Sequence, residues 1–142
     1  MKKLIFPLFI LLFALSCKPT QKTFSKTDKP TAANDTVRIA NDSLEYEVII
    51  VDPGFSTWLA TTAQPRNYYS QSYLESKNRT YVTEWNNRVM QPRRYSPSMY
   101  DMTINYNFTT NYGYEVNYLI YNYFIYFQNK YNQKLAGYVP TR

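Results

Sequence analysis

GYEVNYLIYNYFIYFQNKYNQKLAG, Gly113 to Gly137, is the stretch on which every other segment of the chain depends. Its apolar side chains fall at Val116, Leu119, Ile120, Tyr123, Phe124, Phe127 and Tyr131, the i, i+3, i+4, i+7 rhythm of one helix face. Each contributes about 1.5–3 kcal/mol when fully buried, before ordering entropy is subtracted. A second set, Tyr118, Tyr121, Ile125 and Tyr126, widens the apolar surface beyond one stripe. The helix is therefore expected to be covered on more than one side and to form the centre of the core. Glu115, Asn117, Asn122, Gln128, Asn129 and Lys130 interrupt it, which excludes a membrane span of ~20 mostly apolar residues. Gly113 precedes the helix, and Gly137 is expected to close it as a left-handed cap.

Working outward, 142 residues suffice for one modest domain. There is no histidine, so the commonest general base and the commonest metal ligand are both missing. The single cysteine, Cys17, excludes an internal disulfide and a Cys-based zinc site. Neither a metal nor a cofactor is expected. All sixteen tyrosines lie after Ser43, which puts the start of the foldable part near there. An AT-rich coding sequence also produces abundant Tyr, Asn, Ile, Phe and Lys, so this texture alone is no sign of function.

The N-terminus carries an address. Met1, Lys2 and Lys3 precede an apolar run of twelve, Leu4 to Leu15, too short to span a bilayer and patterned as a signal peptide. The run ends in Ala14, Leu15 and Ser16 before Cys17, which resembles the lipobox of bacterial lipoproteins. That resemblance implies cleavage after residue 16 and acylation of Cys17, with about 0.8 kcal/mol per buried methylene holding the chain on a membrane. Lys18, Pro19 and Thr20 include no acid, which by sorting rules implies the periplasmic face of the outer membrane. Residues 17–43 read as the lipidated cysteine and a polar, disordered linker. Its span is roughly 25–30 Å when relaxed. Removing Lys2 and Lys3 lowers the formal charge from +6 to +4, and export takes the chain away from nucleic acid, so no nucleic-acid partner is expected.

The folded part is expected over 44–142. Leu44 to Val51 is the best strand, stopped by Asp52, Pro53 and Gly54. Phe55, Trp58, Leu59 and Thr62 follow at helical spacing up to Pro65. Leu74, Tyr81, Val82, Trp85 and Val89 mark a longer helix, with Ser72 and Glu75 as a capping box, Asn67 as a competing start and Pro92 as the end. Met102 to Tyr106 alternates as a second short strand would, and Tyr138 and Val139 are expected to pack back on the core. The fold class is α+β with a helical majority, one or two strands packed with about three helices.

Three segments, YEVIIVDPGFSTWLATTAQP from Tyr46, YVTEWNNRV from Tyr81 and YGYEVNYLIYNYFIYFQNKY from Tyr112, resemble an uncharacterised family of small Bacteroidota lipoproteins classed as a domain of unknown function. The resemblance covers nearly all of residues 44–142 and implies an envelope lipoprotein, with no activity attached.

Candidate chemistry is sparse. Asp52 at the end of the best strand, with Glu84, Asp101 or Glu115, offers the carboxylate pair that glycan hydrolysis needs, although Asp52 also reads simply as a turn or cap residue. Three glycines give no phosphate loop. Trp58, Trp85 and the tyrosines offer either core or a platform for sugars and peptides, and Arg66, Arg88, Arg93 and Arg94 lie near them in sequence. The expected function is a non-enzymatic envelope lipoprotein that binds or scaffolds another envelope protein. Peptidoglycan or glycan binding is the alternative, and a carboxylate hydrolase ranks below it.

Overall fold

The computed structural model describes residues 36–41 and 46–142; the segment read as a signal peptide, Cys17 and most of the segment read as a linker lie outside them. Two strands, β1 (Thr36–Asn41) and β2 (Tyr46–Val51), precede three helices, α1 (Phe55–Thr61), α2 (Gln71–Val89) and α3 (Gly113–Lys130). The architecture is helix-majority α+β, as the sequence pattern predicts.

The central helix is buried along twelve of its eighteen residues. One side meets α2 through Tyr81, Trp85, Tyr121, Phe124 and Phe127. Another side, through Leu119 and Tyr126, meets Val37, Ile50 and Phe55. Its interrupting amides tolerate this burial by bonding their own helix: Asn117 Nδ2 donates to Gly113 O at 2.8 Å, Asn122 to Tyr118 O at 2.8 Å, Gln128 to Phe124 O at 3.0 Å and Asn129 to Ile125 O at 2.8 Å. Side-chain bonding to the preceding turn satisfies the amide N–H groups and offsets much of the desolvation cost of burying Asn117, Asn122 and Gln128, although the Asn122 carbonyl oxygen stays buried without a partner. No helix of the described residues is long and apolar enough to cross a membrane.

Five expectations need correction. The foldable part begins earlier than residue 44, because β1 lies inside the segment read as linker and pairs antiparallel with β2, Val37 opposite Ile50 and Ile39 opposite Val48. Six residues with one clear apolar alternation, flanked by polar chain, carry too little signal to stand out without their partner strand. Second, Met102 to Tyr106 forms no strand. It runs back along α2: Trp85 Nε1 donates to Met102 O at 3.0 Å, and the Asn86 amide donates to Ile104 O at 3.0 Å while its carbonyl accepts from Ile104 N at 2.8 Å. The alternation is real, but its backbone is satisfied by helix side chains rather than by a strand.

Third, the cap of α2 lies between the two expected caps, two residues before Ser72 and three after Asn67. Ser70 is the N-cap, and its hydroxyl accepts from Tyr73 N at 3.2 Å. Asn67 instead takes a left-handed conformation, φ 68°, in the preceding turn. Fourth, α3 closes at Asn132, φ 51°, with Gln133 N donating back to Gln128 O at 2.9 Å, a left-handed cap built on Asn rather than on Gly137. The tail is held by buried Leu135, whose N–H donates to Gln128 Oε1 at 2.8 Å, and by Pro140 O accepting from Asn129 at 2.9 Å. Fifth, Tyr138 is 78% exposed and does not pack back, while Val139 beside it is half-buried.

Candidate functional site

Asp52 follows β2 directly, and Gly54 at φ 91° turns the chain into α1, where Phe55 N donates to Asp52 O at 3.0 Å. The backbone of Asp52 thus makes the turn, while its carboxylate points elsewhere. Only 6% exposed, it accepts from Lys130 Nζ at 2.7 Å, near the end of α3. Lys130 also donates to Pro53 O and to Tyr126 Oη, both at 2.8 Å, and its ammonium lies 5.0 Å from the Tyr126 and Tyr131 ring centres. Tyr126 in turn donates to Pro53 O at 2.7 Å. Partial burial opposes the charge of Lys130, but the hydrogen bonds to Asp52, Tyr126 and Tyr131 outweigh it and raise its pKa. An amine held protonated is neither nucleophile nor base, so the cluster is a staple between the strand end and α3.

The other predicted residues are dispersed. Trp58 is half-buried against Phe55 and Tyr126, with ring centres 6.4 and 5.7 Å away. Trp85 is core, 4.9 Å from Phe127 and 5.0 Å from Tyr100, which removes it as an exposed platform. Arg66 pairs both Glu115 oxygens at 2.9 and 2.8 Å beside Tyr118. Glu115 and Lys130 stand fifteen residues apart on α3, about 22 Å at 1.5 Å per residue, so Arg66 and Asp52 are held at opposite ends of α3. Arg93 and Arg94 are exposed, Arg94 lying over Tyr95 at 5.4 Å.

The arginine that does gather partners is Arg88, 7% exposed. It bonds Glu84 at 2.8 Å, Tyr100 Oη at 2.8 Å and Lys134 O at 2.6 Å, and so ties the return segment and the tail to α2. Each acid of interest is therefore engaged locally: Glu84 with Arg88, Glu115 with Arg66, and Asp101 with the next N–H, Met102 N, at 2.8 Å. Among the described residues no group of three or more His, Cys, Asp or Glu is placed to hold a metal.

One feature escaped the sequence reading. A cleft of about 260 Å³ lies between α2 and the return segment, walled by Gln71, Glu75 and Arg79 on the helix and by Phe108, Thr110 and Asn111 opposite. Gln71 Nε2 bridges to Glu75 Oε1 at 2.7 Å and to Asn111 Oδ1 at 2.9 Å. The available signal was the spacing of Gln71, Glu75 and Arg79 at i, i+4 and i+8, which places them in one row. The opposite wall comes from a segment whose course only the fold reveals.

The fold and its polar clusters define a small helix-majority α+β domain whose ion pairs join its elements. The chain belongs to the Family of unknown function (DUF6146), whose model matches residues 5–142. No curated protein and no solved structure matches it.

Proposed function

We propose that this chain is a non-enzymatic cell-envelope lipoprotein of the Bacteroidota type, acylated at Cys17 and held on the periplasmic face of the outer membrane, where its domain binds or scaffolds another envelope protein. The observation that carries the binding role is β2. Its inward residues Val48 and Ile50 meet the core, yet Ile49 and Val51 on the opposite face are 56% and 70% exposed, so β2 turns two large apolar side chains to solvent. A sheet face that stays in water ordinarily alternates to polar residues. Two neighbouring apolar side chains left exposed there suit a partner's surface.

A photo-crosslinking residue placed at Ile49 or Val51 in the full chain tests this in cells, with Thr57 as the exposed control position. A stoichiometric protein adduct from β2 alone, lost in Cys17→Ala, is expected; no adduct, or equal labelling from Thr57, removes the scaffold reading. Acyl labelling that persists in Cys17→Ala removes the anchor. Asp52→Asn addresses the hydrolase alternative, which requires turnover to vanish with the fold intact, whereas the pairing with Lys130 points to lost stability. Glycan binding is kept as a second reading because of the cleft beside α2, where Gln71, Glu75, Arg79 and Asn111 stand next to the Phe108 ring.

A further inference from the structure

We infer that the cleft between α2 and the return segment is a subsite for one neutral, hydroxyl-bearing sugar ring, an assignment that rests on the glycan-binding reading above and gives it a place. Glu75 and Arg79 stand four residues apart on a helix, where such a pair ordinarily closes into an ion pair. Here it does not: among the described residues the ion pairs are those of Arg66, Arg88 and Lys130. The Arg79 guanidinium is instead drawn across the cleft, 5.2 Å from the Phe108 ring centre, with Nη2 donating to Phe108 O at 3.4 Å. Glu75 accepts from Gln71 through Oε1 only. Glu75 and Arg79 thus line one cleft without pairing with each other, each with hydrogen-bonding capacity beyond these contacts.

The charges select the ligand class. A simple anion meets Glu75 and a simple cation meets Arg79, each unfavourably. A neutral ring with neighbouring hydroxyls uses both, donating to the carboxylate and accepting from the guanidinium and from the Asn111 amide. Phe108, 45% exposed, supplies an apolar edge for the ring's C–H face. At about 260 Å³ the space lies below the range of roughly 300–1,000 Å³ usual for drug-sized ligands, which suits a single ring.

The experiment titrates the detergent-solubilised full-length lipoprotein with tri-N-acetylglucosamine and, separately, with D-alanyl-D-alanine, read by saturation-transfer NMR, and sediments the same protein with purified cell-wall sacculi. Saturable binding of the trisaccharide is expected, weakened at least about tenfold by Glu75→Gln and by Arg79→Gln, since a hydrogen bond to a charged group is lost in each. Glu75→Gln keeps an acceptor for Gln71. Thr110→Trp, which fills the cleft from the loop side and leaves every residue of α2 in place, is expected to abolish binding at unchanged melting temperature and covers the case in which a helix variant unfolds. Trisaccharide binding that all three variants retain overturns the site, as does binding of the dipeptide alone, which would mark a zwitterion site. Wild type and variants sedimenting equally with sacculi would remove this cleft but leave glycan binding standing; wild type failing to sediment or to bind the trisaccharide removes both.

Discussion

At the scale of single residues, the Asp52–Lys130 pair is asymmetric, and its variants should be too. The Asp52 carboxylate is buried, while a third of the Lys130 side chain is exposed. Lys130→Met strands a buried charge beside hydroxyls no closer than 3.4 Å. Removing one partner of a fully buried pair costs about 3–5 kcal/mol, and the exposure of Lys130 reduces this to roughly 1–3 kcal/mol. Asp52→Asn leaves an ammonium that can turn to water, so it should cost less than Lys130→Met in urea unfolding at neutral pH. The reverse order would mean that the carboxylate, not the ammonium, is the group the fold can spare.

At the scale of elements, the ends of helices and strands make the sharpest tests. Ser70→Ala removes the N-cap of α2 and should cost about 1 kcal/mol, whereas Ser72→Ala, at the position the sequence pattern favours, should change stability by only a few tenths. Gly54 and Gly113 both have positive φ, 91° and 78°, but an added Cβ at Gly54 would meet Tyr126 Oη at 3.2 Å while that at Gly113 meets nothing within 4 Å. Gly54→Ala should therefore exceed the backbone cost of about 1–2 kcal/mol that Gly113→Ala shows, with a second loss from the disturbed Tyr126–Lys130 contact. Truncation tests the hairpin. A chain starting at Leu44 lacks β1 and the buried Val37, and it should melt below one starting at Asp35, because a single strand leaves its ladder groups unpaired. Equal melting would restore the later domain boundary.

For the whole molecule, the abundance of tyrosine becomes a statement about pH. Burial, its largest cause in each case, raises the pKa of Tyr81, Tyr100, Tyr118, Tyr121, Tyr123 and Tyr126. Lys130 is raised as well. Each group keeps its proton to higher pH in the folded chain than in the unfolded one. Their stabilisation is therefore complete below the unfolded values, near 10 for Tyr and about 10.4 for Lys, and is lost as pH climbs toward the folded ones. Above about pH 10 each group fully out of step steepens the loss by about 1.4 kcal/mol per pH unit. The chain should unfold abruptly in alkali, with tyrosinate absorbance at 295 nm rising together with loss of far-ultraviolet dichroism. Smooth ionisation ahead of unfolding would show that the phenols are not shielded.

The long helices, the strand before Asp-Pro-Gly and the central place of α3 were legible in the sequence because apolar side chains at a fixed period can be buried in only one way. Local punctuation was legible as a type but not as a position: Ser70 and Asn132 rather than Ser72 and Gly137 end their helices, since several residues near each boundary can bond a free backbone group and packing chooses among them. Partners distant in sequence left no local trace. Asp52 meets a lysine 78 residues away, Arg66 a glutamate 49 residues away, and Glu75 faces a loop that returns only after α2 has ended. By itself the sequence determined the helix-majority class and the helical core, which rest on the apolar period. Only the tertiary structure decided which charges became staples and which pair was left open, because that depends on distances which the folded chain alone sets.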